Sequence, residues 1–172
     1  MPAGPDVTVA SPLRKRYAVI ALGNPVLCDD SAALVALRIL QETTQSRNVD
    51  FVENYASGMD LLPELMDREA VIVIDAIRTL ECAPGTCIEV SLEDLDQTRQ
   101  PRLVDTHGLN LATVVATGHS FGYDMPKRLQ ILGIEGRDFT SFQETPSPAV
   151  MDALPAIVAR IERTLLEWEE RR

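Results

Sequence analysis

Short apolar runs alternate with amphipathic stretches along most of this chain. "YAVIAL" (17–22) is closed by Gly23-Asn24-Pro25, which predicts a buried strand and a turn. "DDSAALVALRILQETTQ" follows, with Leu34, Leu37 and Leu40 at helical spacing and Ala33 and Ala36 beside them. It predicts a helix started by the aspartates. "VDFVE" (49–53) reads as a strand, and "MDLLPELMD" (59–67) as a short helix with Pro63 tolerable only in its first turn. "AVIVID" (70–75) is the most apolar strand, and its β-branched run predicts burial on both faces. A strand at 85–92, a helical pattern at 107–122 and a strand at 128–136 come next. The last helix opens at Ser147-Pro148, and Pro155 is expected to kink it. Its apolar stripe is Leu154, Val158, Ile161, Leu165 and Trp168.

This alternation predicts an α/β fold: one domain, a twisted and mostly parallel sheet, helices on both faces and right-handed crossovers. Residues 1–15, with Pro2, Pro5 and Pro12 and no apolar core segment, are expected to be a flexible tail that is no secretory signal. The domain is expected to span 16–172, with Arg14-Lys15-Arg16 flanking the first strand. In such folds ligands bind outside the carboxyl ends of the strands. Asp30 follows the first strand, Asp75 ends "VIVID" and His107 opens a helix, so three candidate ligands are expected to meet at one edge.

Composition narrows the function. The 172 residues suit one core, and 45% are hydrophobic. No apolar run is long enough for a membrane span, so no membrane partner is expected. The net charge of −10 argues against nucleic acid, whose binding rests on neutralising phosphates. Cys28, Cys82 and Cys87 are too few and odd in number for a disulfide framework, so a cytoplasmic location is expected.

Each candidate residue has a plain alternative. An aspartate at a helix start can simply cap it. Two adjacent carboxylates exceed what a cap needs, and Asp29 as cap with Asp30 as functional group is one consistent division. Asp75 is carried by an apolar strand, where a charge needs a partner. That partner is a nearby backbone amide in one reading, and a metal or catalysis in the other. His107 gains weight from its place at a helix start, whereas His119 sits at a helix end where dipole contact or exposure explains it. An Asp-Asp-His set suits a borderline metal such as nickel or zinc with positions left open. Cys28 has no basic neighbour in sequence to activate it and reads as core filler.

In this order, "GNPVLCDD", "VIVIDAI" with "APGT" beyond it, and "HGLNLATVV" resemble the hydrogenase maturation protease family. These endopeptidases remove the C-terminal extension from the large-subunit precursor of nickel–iron hydrogenases. The resemblance runs from Tyr17 to the final helix. It implies that Asp30, Asp75 and His107 hold a metal, with Asp30 and Asp75 as catalytic carboxylates of an aspartic-type endopeptidase. It also implies that the nickel is carried by the substrate, with zinc or cadmium able to stand in for it. Where the family usually has glycines, Ser31 and Ala33 stand here, and the turn "NYASGMD" keeps only Gly58. Two rivals remain at this point. A non-catalytic nickel-binding maturation chaperone would share every ligand. "ALGNP" is also similar to peptidyl-tRNA hydrolase, but no histidine follows it before His107.

Overall fold

The computed structural model describes residues 15–55, 58–93, 104–105 and 111–171. Six strands form one sheet: β1 (Tyr17–Leu22), β2 (Val49–Asn54), β3 (Ala70–Arg78), β4 (Cys87–Val90), β5 (Val104–Asp105) and β6 (Arg128–Glu135). The order is β2-β1-β3-β6-β4, with β5 paired to β3. β1, β2, β3 and β6 run parallel, while β4 is antiparallel to β6 and β5 to β3. The described residues also form four α-helices: α1 (Ala32–Thr43), α2 (Leu62–Leu65), α3 (Leu111–Ser120) and α4 (Pro148–Glu170).

Strand alternation sorts the core into two layers. Tyr17, Val19, Ala21, Ile72 and Ile74 pack with the apolar stripes of α1 and α4. The neighbouring Ala18, Ile20, Val71, Val73 and Ile77 pack instead with residues of α2 and α3. β3 is buried from Ala70 to Ile77, as a strand covered on both faces must be. Leu34, Leu37 and Leu40 are fully buried, as their spacing predicts. Pro63 falls in the first turn of α2, where its missing N–H costs nothing. α4 runs unbroken from Pro148 to Glu170 with Pro155 inside it.

Two expectations need correction. Asp75 does not end its strand, because β6 pairs with β3 as far as Ile77 and holds it extended to Arg78. The strand expected over 85–92 is only four residues long and runs antiparallel. The connection from β3 is too short for a crossover, so the chain must turn straight back. Gly85 makes the turn with φ +85°, and an added Cβ there would lie 2.7 Å from both the Ala149 carbonyl oxygen and the Ala153 Cβ.

The chain leaves β1 toward β2 and returns to place β3 on the other side of β1. This reversal makes the carboxyl ends of β1 and β3 the topological switch point, where doubly wound sheets bind ligands.

Candidate active site

Both aspartates of the first motif sit in a 3-10 turn, Cys28–Ser31, that joins β1 to α1 and packs on β3. Asp30 is 3% exposed. Its backbone oxygen lies only 2.3 Å from where a Cβ on Gly23 would be, so the turn folds back onto β1 only because residue 23 is glycine. Ser31 and Ala33, the departures from the glycine pattern, are both buried. The Ser31 hydroxyl closes the turn by donating to the Cys28 carbonyl at 2.6 Å.

Asp75 is also buried, on the α2/α3 side of the sheet. The paired register between β1 and β3 ends at Ala21 and Ile74, so Asp75 is the first β3 residue beyond it. Its Oδ1 accepts the Ala76 amide at 2.8 Å, the backbone partner of the plain reading. Asp30, in the connection after β1, and Asp75, within β3 just past its pairing with β1, thus flank the switch point. His107, the third predicted ligand, lies outside the described residues. Among the described residues, no three His, Cys, Asp or Glu side chains form a metal-binding group.

Asp29 is not the cap of its own helix. Neither the 3-10 turn nor α1 receives a side-chain capping bond. The fully buried Asp29 carboxylate instead reaches across to the segment after β6. Oδ2 accepts the amides of Arg137 at 2.8 Å and Asp138 at 2.9 Å, and Oδ1 accepts the Ser147 amide at 2.8 Å. Ser147 is the residue that begins α4, so the negative charge stands at the positive end of that helix. Burial acts to raise the Asp29 pKa. The amides of Asp138, Arg137 and Ser147 outweigh it and hold the carboxyl below its ordinary value. Sequence spacing cannot reveal a partner over a hundred residues away.

A second buried carboxylate, Glu135, ends β6 and does similar work. It accepts the Thr79 amide at 3.0 Å, the Thr79 hydroxyl at 2.7 Å and the Leu80 amide at 3.0 Å, and it pairs with Arg137. Burial again pushes its pKa up, but Thr79, Leu80 and Arg137 prevail and lower it. The sequence holds this signal, since Glu135 closes "RLQILGIE" much as Asp75 follows "AVIVI". Cys28 is core filler as expected: burial, then the charges of Asp29 and Asp138, push its thiol up, away from the reactive form.

The arrangement offers two buried carboxylates at the open edge of a rigid sheet, with a separate set of carboxylates locking the loops around them. Such a site can hold a cation or activate water for attack on a carbonyl. The model of the family described as hydrogenase maturation protease matches residues 34–164. The chain belongs to the hydrogenase maturation protease family. Similar proteins agree. The hydrogenase expression/formation protein HupD of Rhodobacter capsulatus is 26% identical over 155 residues, covering 90% of this chain and 73% of its own. The hydrogenase 2 maturation protease of Escherichia coli is 28% identical over 123 residues, covering 69% and 72%. The hydrogenase maturating endopeptidase HybD from E. coli shares the fold, with a TM-score of 0.75 at 23% identity over 88% of this chain and 93% of that one.

Proposed function

We propose that this protease removes the C-terminal extension of a nickel–iron hydrogenase large-subunit precursor after nickel insertion. It reads the nickel through Asp30, Asp75 and His107. The observation that carries the reading is the placement of two buried carboxylates, Asp30 from the β1–α1 connection and Asp75 from β3, at the β1/β3 switch point, in a chain of this family. The hydrogenase named in the relatives' descriptions supports the kind of partner.

The nickel is cargo of the substrate. A cation arriving with the precursor is attracted by the negative charge of the Asp30 and Asp75 carboxylates. A subunit without nickel lacks that attraction, so only filled precursors dock productively. With the precursor seated, one carboxylate takes a proton from water as general base, or the cation polarises the scissile carbonyl. The reaction is placed in the cytoplasm, where the unpaired Cys28, Cys82 and Cys87 stay reduced.

The test is the mass of the large subunit, nickel-loaded and nickel-free, before and after incubation with the protein. Shortening of the loaded precursor alone is the expected result. Shortening of both forms removes the nickel-reading role. A stable complex without shortening favours the chaperone reading.

A further inference from the structure

Of the eight large apolar side chains exposed among the described residues, five lie in connections leaving the carboxyl ends of the parallel strands. They are Val26 after β1, Tyr55 and Met59 after β2, Leu80 after β3 and Phe142 after β6. Phe142 is 89% exposed and Leu80 70%. Large apolar groups held in water at such levels, and gathered around one edge, mark a surface that meets another molecule.

These side chains are not on slack loops. Asp29 binds three amides of the segment that carries Phe142, and that segment also pairs with the motif turn. The Cys28 amide donates to the Gln143 carbonyl at 2.7 Å and the Gln143 amide to the Val26 carbonyl at 3.1 Å. Leu80 has φ +64°, a costly conformation for a leucine, and its amide is fixed by buried Glu135. Arg137 joins the two devices: its amide goes to Asp29, and its guanidinium to Glu135 and the Cys82 carbonyl. Buried carboxylates thus hold two connections in place while Phe142 and Leu80 face solvent. A merely structural loop would turn those side chains inward.

Charge limits what can bind. Glu81 stands next to Leu80, and Asp138 and Glu144 lie in the segment of Phe142. Among the described residues of these connections, the cations are engaged, Arg137 with Glu135 and Arg78 over the Phe139 ring, while Asp138 accepts the Thr140 and Ser141 amides.

We propose that Phe142 and Leu80 are specificity-determining residues that grip a segment of the precursor whose apolar side chains are flanked by lysine or arginine. The proposal rests on the reading of the carboxyl edge as the place of cleavage. Connections held in place keep the grip ready before binding, so little ordering is needed when the substrate docks. The acidic flank supplies the charge match that selects partner and register.

The experiment titrates full-length protein with the nickel-loaded large-subunit precursor, measuring Kd and, in parallel, kcat/KM for shortening. Phe142→Ala and Leu80→Ala should each weaken Kd about tenfold or more, as truncation of an interface anchor does. Their kcat/KM should fall by the same factor, with thermal midpoints unchanged. Leu166→Ala, an exposed leucine on α4 near the opposite end of the sheet, is the control and should bind like wild type. Glu144→Lys should weaken binding, and added salt should weaken wild-type binding. Wild-type Kd in both alanine variants overturns the grip. Insensitivity to Glu144→Lys and to salt overturns the basic flank. Phe142-dependent binding without shortening by wild type upholds the grip and overturns the cleavage reading.

Discussion

Replacing Asp29 by asparagine separates the roles of the two adjacent aspartates. The Asp29 carboxylate is fully buried and accepts three backbone amides, two on Oδ2 and one on Oδ1. An asparagine placed with its oxygen at the Oδ2 position keeps the Arg137 and Asp138 amides but turns an NH2 toward the Ser147 N–H, donor against donor. One bond is lost, and the two that remain lose their ionic character. Hydrogen bonds to a charged group contribute about 1.5–3 kcal/mol each, so a loss of about 2–4 kcal/mol at pH 7 is expected, with non-additivity setting the spread. The pH dependence gives the sharper signature. The native pKa lies below the ordinary 3.8, so Asp29 contributes stability that is present above the unfolded value. That contribution is lost as pH falls through the folded value. Urea unfolding at pH 7, 5, 4 and 3 should therefore show a gap between wild type and Asp29→Asn that is constant down to about pH 4–5 and narrows below. A gap under 0.5 kcal/mol at pH 7, or one that does not change with pH, would refute the role of the charge.

Other perturbations test the scaffold. Gly23→Ala places a Cβ within 2.3 Å of the Asp30 backbone oxygen, so the turn must shift. A loss of about 1–3 kcal/mol is expected, with cleavage falling more than stability explains. Leu37→Ala removes a fully buried side chain from the α1 stripe and should cost about 2–5 kcal/mol by denaturant titration. Glu135→Gln should destabilise by about 1–3 kcal/mol, since Thr79 and Leu80 amides and Arg137 lose an anionic partner. Limited proteolysis should then cut near Leu80 sooner than in wild type.

Much of the layered fold was legible because it follows from periodicity. The β-branched run of β3 and the leucine spacing of α1 dictate burial whatever surrounds them. The direction of β4 was not, since it follows from a connection too short to cross over, and apolar pattern carries no direction. Asp75 was expected at a strand end but lies within β3, because pattern cannot show that β6 continues beside it. The division between Asp29 and Asp30 was half legible. Position showed that one aspartate is structural, yet the structural partner lies in the segment from Arg137 to Ser147. Long-range amide acceptance leaves no spacing signal. Glu135 does leave one, a charge closing an apolar strand, as Asp75 does after "AVIVI".

The central claim is that Asp30 and Asp75 work as one site at the carboxyl edge. Its most direct test is the cleavage rate of a nickel-loaded large-subunit precursor by Asp75→Asn, alongside circular dichroism of the variant. The substitution keeps shape and removes charge, so a folded protein that no longer shortens the precursor is the predicted result. A folded Asp75→Asn that shortens it at the wild-type rate contradicts the claim.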